Sequence, residues 1–181
     1  MKQISSEEWS VSIETSGELI YKFISDSMHI MNDPHAENYI EIEGQGIWSK
    51  VKESQSKMKR RLPNVKNICI CKDIDDNYNP IESTNIIKPV DNLMICHTEI
   101  TNISENFLVS MFWKDEIGIV FAAIDDLVKF DGRKERIVFT GVNIKYIINT
   151  NIFQNGKFQV EVFINGVFSS KCPGYVLSIN I

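Results

Sequence analysis

The stretch from residue 107 to residue 165 constrains the fold more than any other part of the chain. It contains short runs rich in β-branched and aromatic residues, separated by turn residues. The predicted strands are residues 107–113, 119–123, 144–148 and 158–164. Gly118 and the Asn155-Gly156 pair supply residues that tolerate the positive φ angles of tight connections. The sequence therefore predicts an antiparallel β-sandwich built around these pairs.

The rest of the chain after Pro63 has the same strand-like texture. Further strands are predicted at residues 65–71, 93–100, 137–139, 142–148 and 175–181. A bulge is expected at Gly141, and a turn or strand entry at Pro173-Gly174. The charged residues 124–136 are expected to connect strands. We therefore expect a mostly β domain of roughly eight strands over residues 63–181.

Residues 1–62 are interpreted as an irregular, partly helical extension that packs on the core or links to it. Apolar residues at helical spacing predict an amphipathic helix over residues 18–30. A strand through Leu19, Tyr21 and Phe23, pairing with a strand at residues 9–13, is the alternative. Residues 39–43 alternate as a strand.

The polar segment 49–61 carries a cluster of cations at Lys57, Lys59, Arg60 and Arg61. One interpretation is a solvated linker or exposed helix. The other is a basic surface for an anionic partner. No aromatic residue interleaves with these cations, which disfavours single-stranded nucleic acid as that partner.

Charge and hydropathy restrict the classes of partner. The 181 residues carry a formal net charge of −5, so the whole chain has no attraction for nucleic acid or anionic lipid. Residues 1–8 lack the apolar core of a secretion signal. No apolar run approaches the roughly 20 residues of a membrane span. We therefore expect a cytoplasmic chain with no membrane span.

The sequence offers no pattern for a cofactor or a metal. It contains neither a Walker A loop nor a dinucleotide fingerprint. In a reducing compartment the four cysteines are expected to be core thiols rather than disulfides. Adjacent Cys96 and His97 face opposite sides of a strand, which argues against a Cys/His metal cluster. His97 is predicted to be buried with a hydrogen-bonded partner. The acidic segment 73–80 has the composition of a calcium loop but not its spacing, and a hairpin loop is favoured.

Two stretches support a family resemblance. Residues 109–121 contain a strand, an Asp-x-x-Gly turn and a second strand, and residues 144–164 contain a strand, a Gly-x-aromatic step and a Val-x-Val strand. This order resembles the carboxy-terminal polysaccharide-binding domain of O-antigen and teichoic-acid ABC exporters, over about residues 64–181. The resemblance implies an immunoglobulin-like β-sandwich that binds polysaccharide, here without the family's ATPase portion. It supplies no residue-by-residue match for sugar contacts.

Three functional hypotheses follow. The first is a non-catalytic binding module for polysaccharide, with Trp113, Tyr146 and Asp115 as candidate ligand-binding residues. The second is a structural or protein-interaction sandwich, of a viral or host-directed kind, that binds another protein through the sandwich and the basic segment 50–61. A homodimer through an edge strand at residues 175–181 is one form of this hypothesis. The third is a glycan hydrolase that uses Asp115 or Glu116 with a second carboxylate.

Overall fold

The computed structural model describes residues 2–3, 9–10, 17–24, 30–33, 36, 38–51, 62–149 and 156–177. Strands dominate these residues, with one short helix. The strands before Pro63 are β1 (Lys2–Gln3), β2 (Trp9–Ser10), β3 (Leu19–Tyr21), β4 (Phe23–Ile24), β5 (Ile30–Met31), β6 (Asn38–Ile42) and β7 (Gly46–Val51). The later elements are β8 (Asn64–Cys71), β9 (Asp73–Ile74), β10 (Pro80–Ile81), β11 (Ile86–Ile87), β12 (Leu93–Thr101), β13 (Phe107–Asp115), β14 (Val120–Val128), β15 (Glu135–Asn143), α1 (Ile144–Asn149), β16 (Gly156–Ile164) and β17 (Val167–Val176).

Two sheets form the main body of the described chain. A three-stranded antiparallel sheet has the order β15-β12-β8, and a five-stranded sheet has the order β11-β17-β16-β13-β14. All neighbours in the two sheets are antiparallel except β11 and β17. Buried residues from both sheets belong to one hydrophobic cluster. The predicted β-sandwich is therefore confirmed.

Alternation of side chains explains how the sandwich closes. On β16, Phe158, Val160, Val162 and Ile164 are buried, while the residues between them are only partly covered. The same period of two buries Val138, Thr140 and Val142 on β15. Because successive strand residues face opposite sides of a sheet, one face of each strand enters the shared core.

The hairpin between β13 and β14 has the predicted turn. The Asp115 backbone N–H donates to the Ile119 carbonyl at 3.0 Å, and Gly118 has a φ of 90°. However, β14 continues to Val128 and β15 begins at Glu135, so the predicted charged connection over residues 124–136 is confirmed only for residues 129–134. The outer strand β14 accommodates charged residues such as Asp125 because an amino-terminal segment packs beside it.

A second hairpin, between β16 and β17, was not predicted. Asn165 and Gly166, with φ angles of 45° and 72°, form its two-residue turn. Pro173 and Gly174 lie inside β17, opposite Gln159 and Phe158, so the predicted turn at these positions is wrong. At Pro173 the strand has a neighbour on one side only, because β11 pairs with β17 at Tyr175 and Val176.

The predicted strand over residues 142–148 is a strand only to Asn143, and helix α1 begins at the next residue, Ile144. The Asn143 side-chain oxygen accepts a hydrogen bond from the Tyr146 backbone N–H at 2.9 Å, as a helix N-cap does. Ile144 and Ile147, one helical turn apart, are both buried. Side-chain capping and burial at helical spacing thus outweigh the β propensity of the isoleucines.

Three further expectations need correction. Gly141 pairs with Ile95 in unbroken register, so no bulge lies there. Ten strands, seven of them at least eight residues long, follow Pro63 in the described chain, in place of roughly eight. Tyr175 and Val176 pair with β11, so this part of the expected edge is covered. Residues 178–181 lie outside the described residues.

The described part of residues 18–30 contains strands rather than the expected helix. Strand β3 contains Leu19 and Tyr21 but pairs with β7, whereas the described residues Trp9 and Ser10 pair with β1. Strands β3, β7 and β6 form a three-stranded sheet in that order. Residues 11–16 and 25–29 lie outside the described residues. The Asn32 side-chain amide donates to the Asp125 carboxylate at 2.7 Å, which joins this region to the outer strand of the sandwich.

Helix α1 has six residues, and no helix in the described ranges is long and apolar enough to cross a membrane.

A candidate ligand-binding groove

A groove of about 640 Å³ lies on the outer face of the three-stranded sheet. Adjacent strands place His97 opposite Phe139, and Glu99 opposite Ile137, on this face. A register shift between β8 and β12 at residue 99 marks a bulge near Lys66, and bulges re-aim side chains. The lining residues are Lys66, Tyr78, Asn79, Glu99, Ile100, Thr101, Arg133, Glu135, Arg136, Ile137 and Phe139.

Tyr78 presents an aromatic ring at this groove from the loop between β9 and β10. Its backbone φ is 63°, a left-handed conformation that is uncommon for a bulky residue. Such a conformation costs on the order of 1–3 kcal/mol and persists only where its surroundings impose it. The residue is 56% exposed, so burial does not explain the strained backbone.

Asp75 supplies part of that constraint. Its carboxylate accepts hydrogen bonds from the backbone N–H groups of Asn77 at 2.9 Å and Asn79 at 2.7 Å. The Asn79 side-chain amide donates to the second carboxylate oxygen at 2.9 Å. The Tyr78 N–H donates to the Asp75 carbonyl, also at 2.9 Å. The acidic segment is thus a hairpin loop closed by its own internal hydrogen bonds, and the hairpin loop favoured by the sequence is confirmed.

His97, on strand β12, holds the loop that carries Tyr78 by a hydrogen bond. The imidazole is 1% exposed, and its Nε2 lies 2.9 Å from the Tyr78 carbonyl oxygen. A carbonyl can only accept, so Nε2 carries the proton and donates. The prediction of a buried His97 with a hydrogen-bonded partner is therefore confirmed. The bond ties the strained residue directly to the central strand of the sheet.

Tyr78 and Phe139 together form an aromatic platform. Their ring centroids are 5.9 Å apart with planes inclined by 27°, an offset stacked arrangement. Phe139 is 38% exposed although it lies on a sheet face. The platform therefore joins a loop residue to a strand residue, and both rings remain accessible to a ligand.

Ion pairs surround the platform. Arg136 pairs with Asp131, and Arg133 lies 3.6 Å from the same carboxylate. Lys66 lies 3.4 Å from Glu99. Hydrogen bonding from the Asn67 side chain, and then from Lys66, lowers the pKa of Glu99. Glu99 therefore lacks the raised pKa by which a glycosidase keeps its general acid protonated at neutral pH.

The groove contains none of the three residues that the sequence proposed as ligand contacts. Trp113 is completely buried and stacks on Phe158 at 5.8 Å, so the expectation that it binds a ligand is wrong. Strand alternation places its neighbour Phe112 on the opposite face, as expected. Tyr146 is exposed, but on α1. Asp115 closes its own turn by accepting from the N–H groups of Ile117 and Ile119.

The basic cluster Lys57, Lys59, Arg60 and Arg61 lies outside the described residues. Glu116, the other carboxylate of the hydrolase hypothesis, lies in the β13–β14 turn rather than at the groove. In the described chain no group of three or more His, Cys, Asp or Glu residues could hold a metal ion.

A smaller cavity of about 140 Å³ lies on the outer face of the five-stranded sheet. Its polar residues include Asn32 and Asp125, which bond to each other. Phe112 and Phe163 provide its apolar wall, with ring centroids 5.4 Å apart. This cavity lies where the amino-terminal region packs on the sandwich and is a feature of that contact.

Sequence reasoning missed the groove because its parts are far apart in the chain. Tyr78 lies in the acidic segment 73–80, for which the sequence predicts only a hairpin loop, and Arg133 and Arg136 lie in the predicted charged connection 124–136. The alternation of Ile137 and Phe139 was the available signal, since it places both side chains on one face.

No family model matches the chain, and no curated protein matches it. Solved structures with partial similarity include a Pseudomonas fluorescens alkylpurine DNA glycosylase bound to DNA containing an abasic site analog, with 8% identity and a TM-score of 0.44. That alignment covers 66% of this chain and 31% of the glycosylase. An immunoglobulin-like protein from Pseudomonas aeruginosa gives 8% identity and a TM-score of 0.43, covering 66% of this chain and all of that one. A Listeria innocua β-glucosidase in complex with isofagomine gives 10% identity and a TM-score of 0.38, covering 63% of this chain and 16% of the enzyme. These similarities assign neither a family nor an activity.

Proposed function

We propose that this chain is a non-catalytic glycan-binding module whose ligand occupies the groove on the outer face of the β8–β12–β15 sheet.

We also propose that the sandwich is immunoglobulin-like. Its first, second and fifth long strands share one sheet, and the third, sixth and seventh share the other, as in constant-type immunoglobulin domains. The fourth long strand differs from that pattern, because β14 lies beside β13.

The observation that carries the proposal is the strained, exposed Tyr78. Strained backbone in an otherwise regular protein clusters at ligand clamps and active sites. Here Asp75 and His97 hold the residue so that its ring lies beside Phe139. A ring fixed before binding loses little conformational entropy when a ligand arrives, and this favours affinity.

The chemistry around the platform suits a sugar. The apolar C–H face of a pyranose stacks on an aromatic ring, while its hydroxyl groups need donors and acceptors at the periphery. Asn79 and Thr101 offer neutral groups, and Arg136 and Glu135 offer charged ones. Hydrogen bonds from Asn67 and Lys66 lower the pKa of Glu99, so this carboxylate is available to accept hydrogen bonds from sugar hydroxyl groups.

The test is a glycan-array screen followed by calorimetry on the full chain. We expect saturable binding that is lost in Tyr78→Ala and weakened in Phe139→Ala. Tyr146→Ala is the matched control, because it removes an exposed tyrosine from α1 and should bind like the wild type. Binding that persists in Tyr78→Ala but disappears in Tyr146→Ala would move the site to the helix. Absence of glycan binding in the folded wild type would refute the proposal.

Binding of a protein partner is the second candidate, and one observation favours it. Strand β15 pairs only with β12 among the described strands, so its other edge is available for strand addition. Lysine on an edge strand discourages such pairing. Gly141→Lys should therefore abolish capture of a partner. If capture is unchanged in this variant, the edge is not the interface.

A further inference from the structure

We infer that the groove selects uncharged sugars over acidic sugars. This inference depends on the glycan-binding function proposed above and specifies its ligand. It rests on how the charged side chains of the groove are already paired. The three cations of the wall are Lys66, Arg133 and Arg136.

Both arginines are held by one carboxylate beside the groove. Asp131 pairs with Arg136 and lies 3.6 Å from Arg133 Nε. The Asp131 side chain also accepts a hydrogen bond from the Arg133 backbone N–H at 3.2 Å. That backbone bond, followed by the Arg136 side chain, lowers the pKa of Asp131. The carboxylate therefore stays ionised at neutral pH, and an acidic sugar would have to compete with it for the guanidinium groups.

The lysine is held in a similar way. Glu99 Oε2 lies 3.4 Å from Lys66 Nζ, and Glu99 Oε1 accepts from the Asn67 side chain at 3.4 Å. Both partners of this pair are on the sheet, so the arrangement does not depend on a loop. An acidic sugar at this end of the groove would meet the Glu99 carboxylate together with the lysine.

Glu135 completes the charge balance. It lines the groove and forms no ion pair with another described residue. The groove lining carries three cations and two carboxylates, Glu99 and Glu135, and Asp131 beside the groove brings the formal charge of these six residues to zero. A free carboxylate accepts hydrogen bonds from sugar hydroxyl groups and repels a uronate. An uncharged polyhydroxylated ring thus meets acceptors and an aromatic platform without breaking an ion pair.

The test compares oligosaccharides of equal length and linkage, one built of glucose or mannose and the other of the corresponding uronic acid. We expect an oligosaccharide of the uncharged series to bind in the groove and its acidic counterpart to bind at least about tenfold more weakly. Equal or tighter binding of the acidic series would overturn this inference and leave the glycan-binding proposal standing. If neither series, nor any other glycan, binds, both are overturned.

Asp131→Asn tests the mechanism of selection. Asparagine keeps the side-chain oxygen that accepts from the Arg133 N–H but removes the charge that occupies both arginines. The variant should bind the acidic series more tightly than the wild type does, and the difference should shrink at high salt. Glu41→Gln is the matched control, because it removes one charge from the exposed Lys129–Glu41 pair away from the groove. An acidic-series affinity that is unchanged in Asp131→Asn, or increased equally in Glu41→Gln, would overturn the inference.

Discussion

The ring of Phe158 occupies the space that a side chain at Gly174 would need. The two residues face each other across β16 and β17, and a Cβ built on Gly174 would lie 2.1 Å from the Phe158 Cζ. On its other side Phe158 stacks against the buried Trp113 at 5.8 Å. Glycine is usually unfavourable in the interior of a strand. At position 174 its lack of a side chain leaves room for the Phe158 ring in the core.

Gly174→Ala should destabilise the fold by about 1–3 kcal/mol, the usual cost of overpacking a core. The Phe158 ring would have to move, and the Trp113 stack with it. Urea unfolding followed by tryptophan fluorescence measures the change. Gly141→Ala is the control, because it lies in the strand β15 and its new Cβ would find ordinary contacts, the nearest at 3.5 Å. Equal stability of the two variants would contradict this explanation.

Asn165 closes the β16–β17 hairpin and also ties it to β13. Its side-chain oxygen accepts from the Leu108 N–H at 2.8 Å, and its own N–H donates to the Leu108 carbonyl at 2.9 Å. Asn165→Ala should cost about 1–3 kcal/mol, because the Leu108 N–H would lose its acceptor. Asn165→Asp keeps the acceptor and tolerates the positive φ, so it should be closer to wild type in a thermal or urea melt. The reverse order of stability would refute this role.

The sequence determined the sandwich well because its signals there are local. The β-branched and aromatic runs at residues 107–113 and 158–164, with a turn at Gly118, depend only on neighbours in the chain, and the structure confirms strands and a turn there. The helix α1 was missed because its cap is a single side chain, Asn143, in a run that otherwise favours strands. Strand β17 was missed because Pro173 and Gly174 usually end strands, and only the Phe158 ring across the sheet explains the glycine.

The candidate site could not be predicted for a different reason. Trp113 appeared suitable for stacking on a sugar, but alternation allows either face to be the core, and only the second sheet decides which one is buried. Tyr78 and Phe139 are 61 residues apart in the chain, and their contact depends on the buried His97 bond. The sequence could predict a buried His97, but not which loop would cover it.

Cysteine reactivity should follow burial. Desolvation raises the pKa of Cys96 to about 12 and that of Cys71 to about 11, and it raises the pKa of Cys172 as well. Cys69 is the one free cysteine that is not buried. Because the thiolate is the reactive form, iodoacetamide at pH 8 should modify Cys69 first. Peptide mass spectrometry measures the order, and Cys69→Ser should remove the fast phase. Labelling of Cys96 as fast as Cys69 would show that the sandwich opens readily.

The loop that carries Tyr78 should respond to acid through Asp75. Hydrogen bonds from the Asn79 side chain and backbone lower the pKa of Asp75 from its ordinary value of 3.8. A carboxylate with a depressed folded-state pKa stabilises the fold above its unfolded pKa, and this contribution is lost as the pH falls through the folded value. The loop should therefore be unchanged between pH 7 and 5, and should loosen only below about pH 4.

Amide chemical shifts of Asn77 and Asn79, followed by NMR during an acid titration, measure this response. Both N–H groups donate to the Asp75 carboxylate, so their shifts should move together with a midpoint below 3.8. In Asp75→Asn the side chain has no proton to gain, so that step should disappear. This variant also loses one acceptor for the Asn79 side chain, so Tyr78 should be held less firmly and glycan affinity should fall at neutral pH. A midpoint above the ordinary value would show that the carboxylate is not held as described.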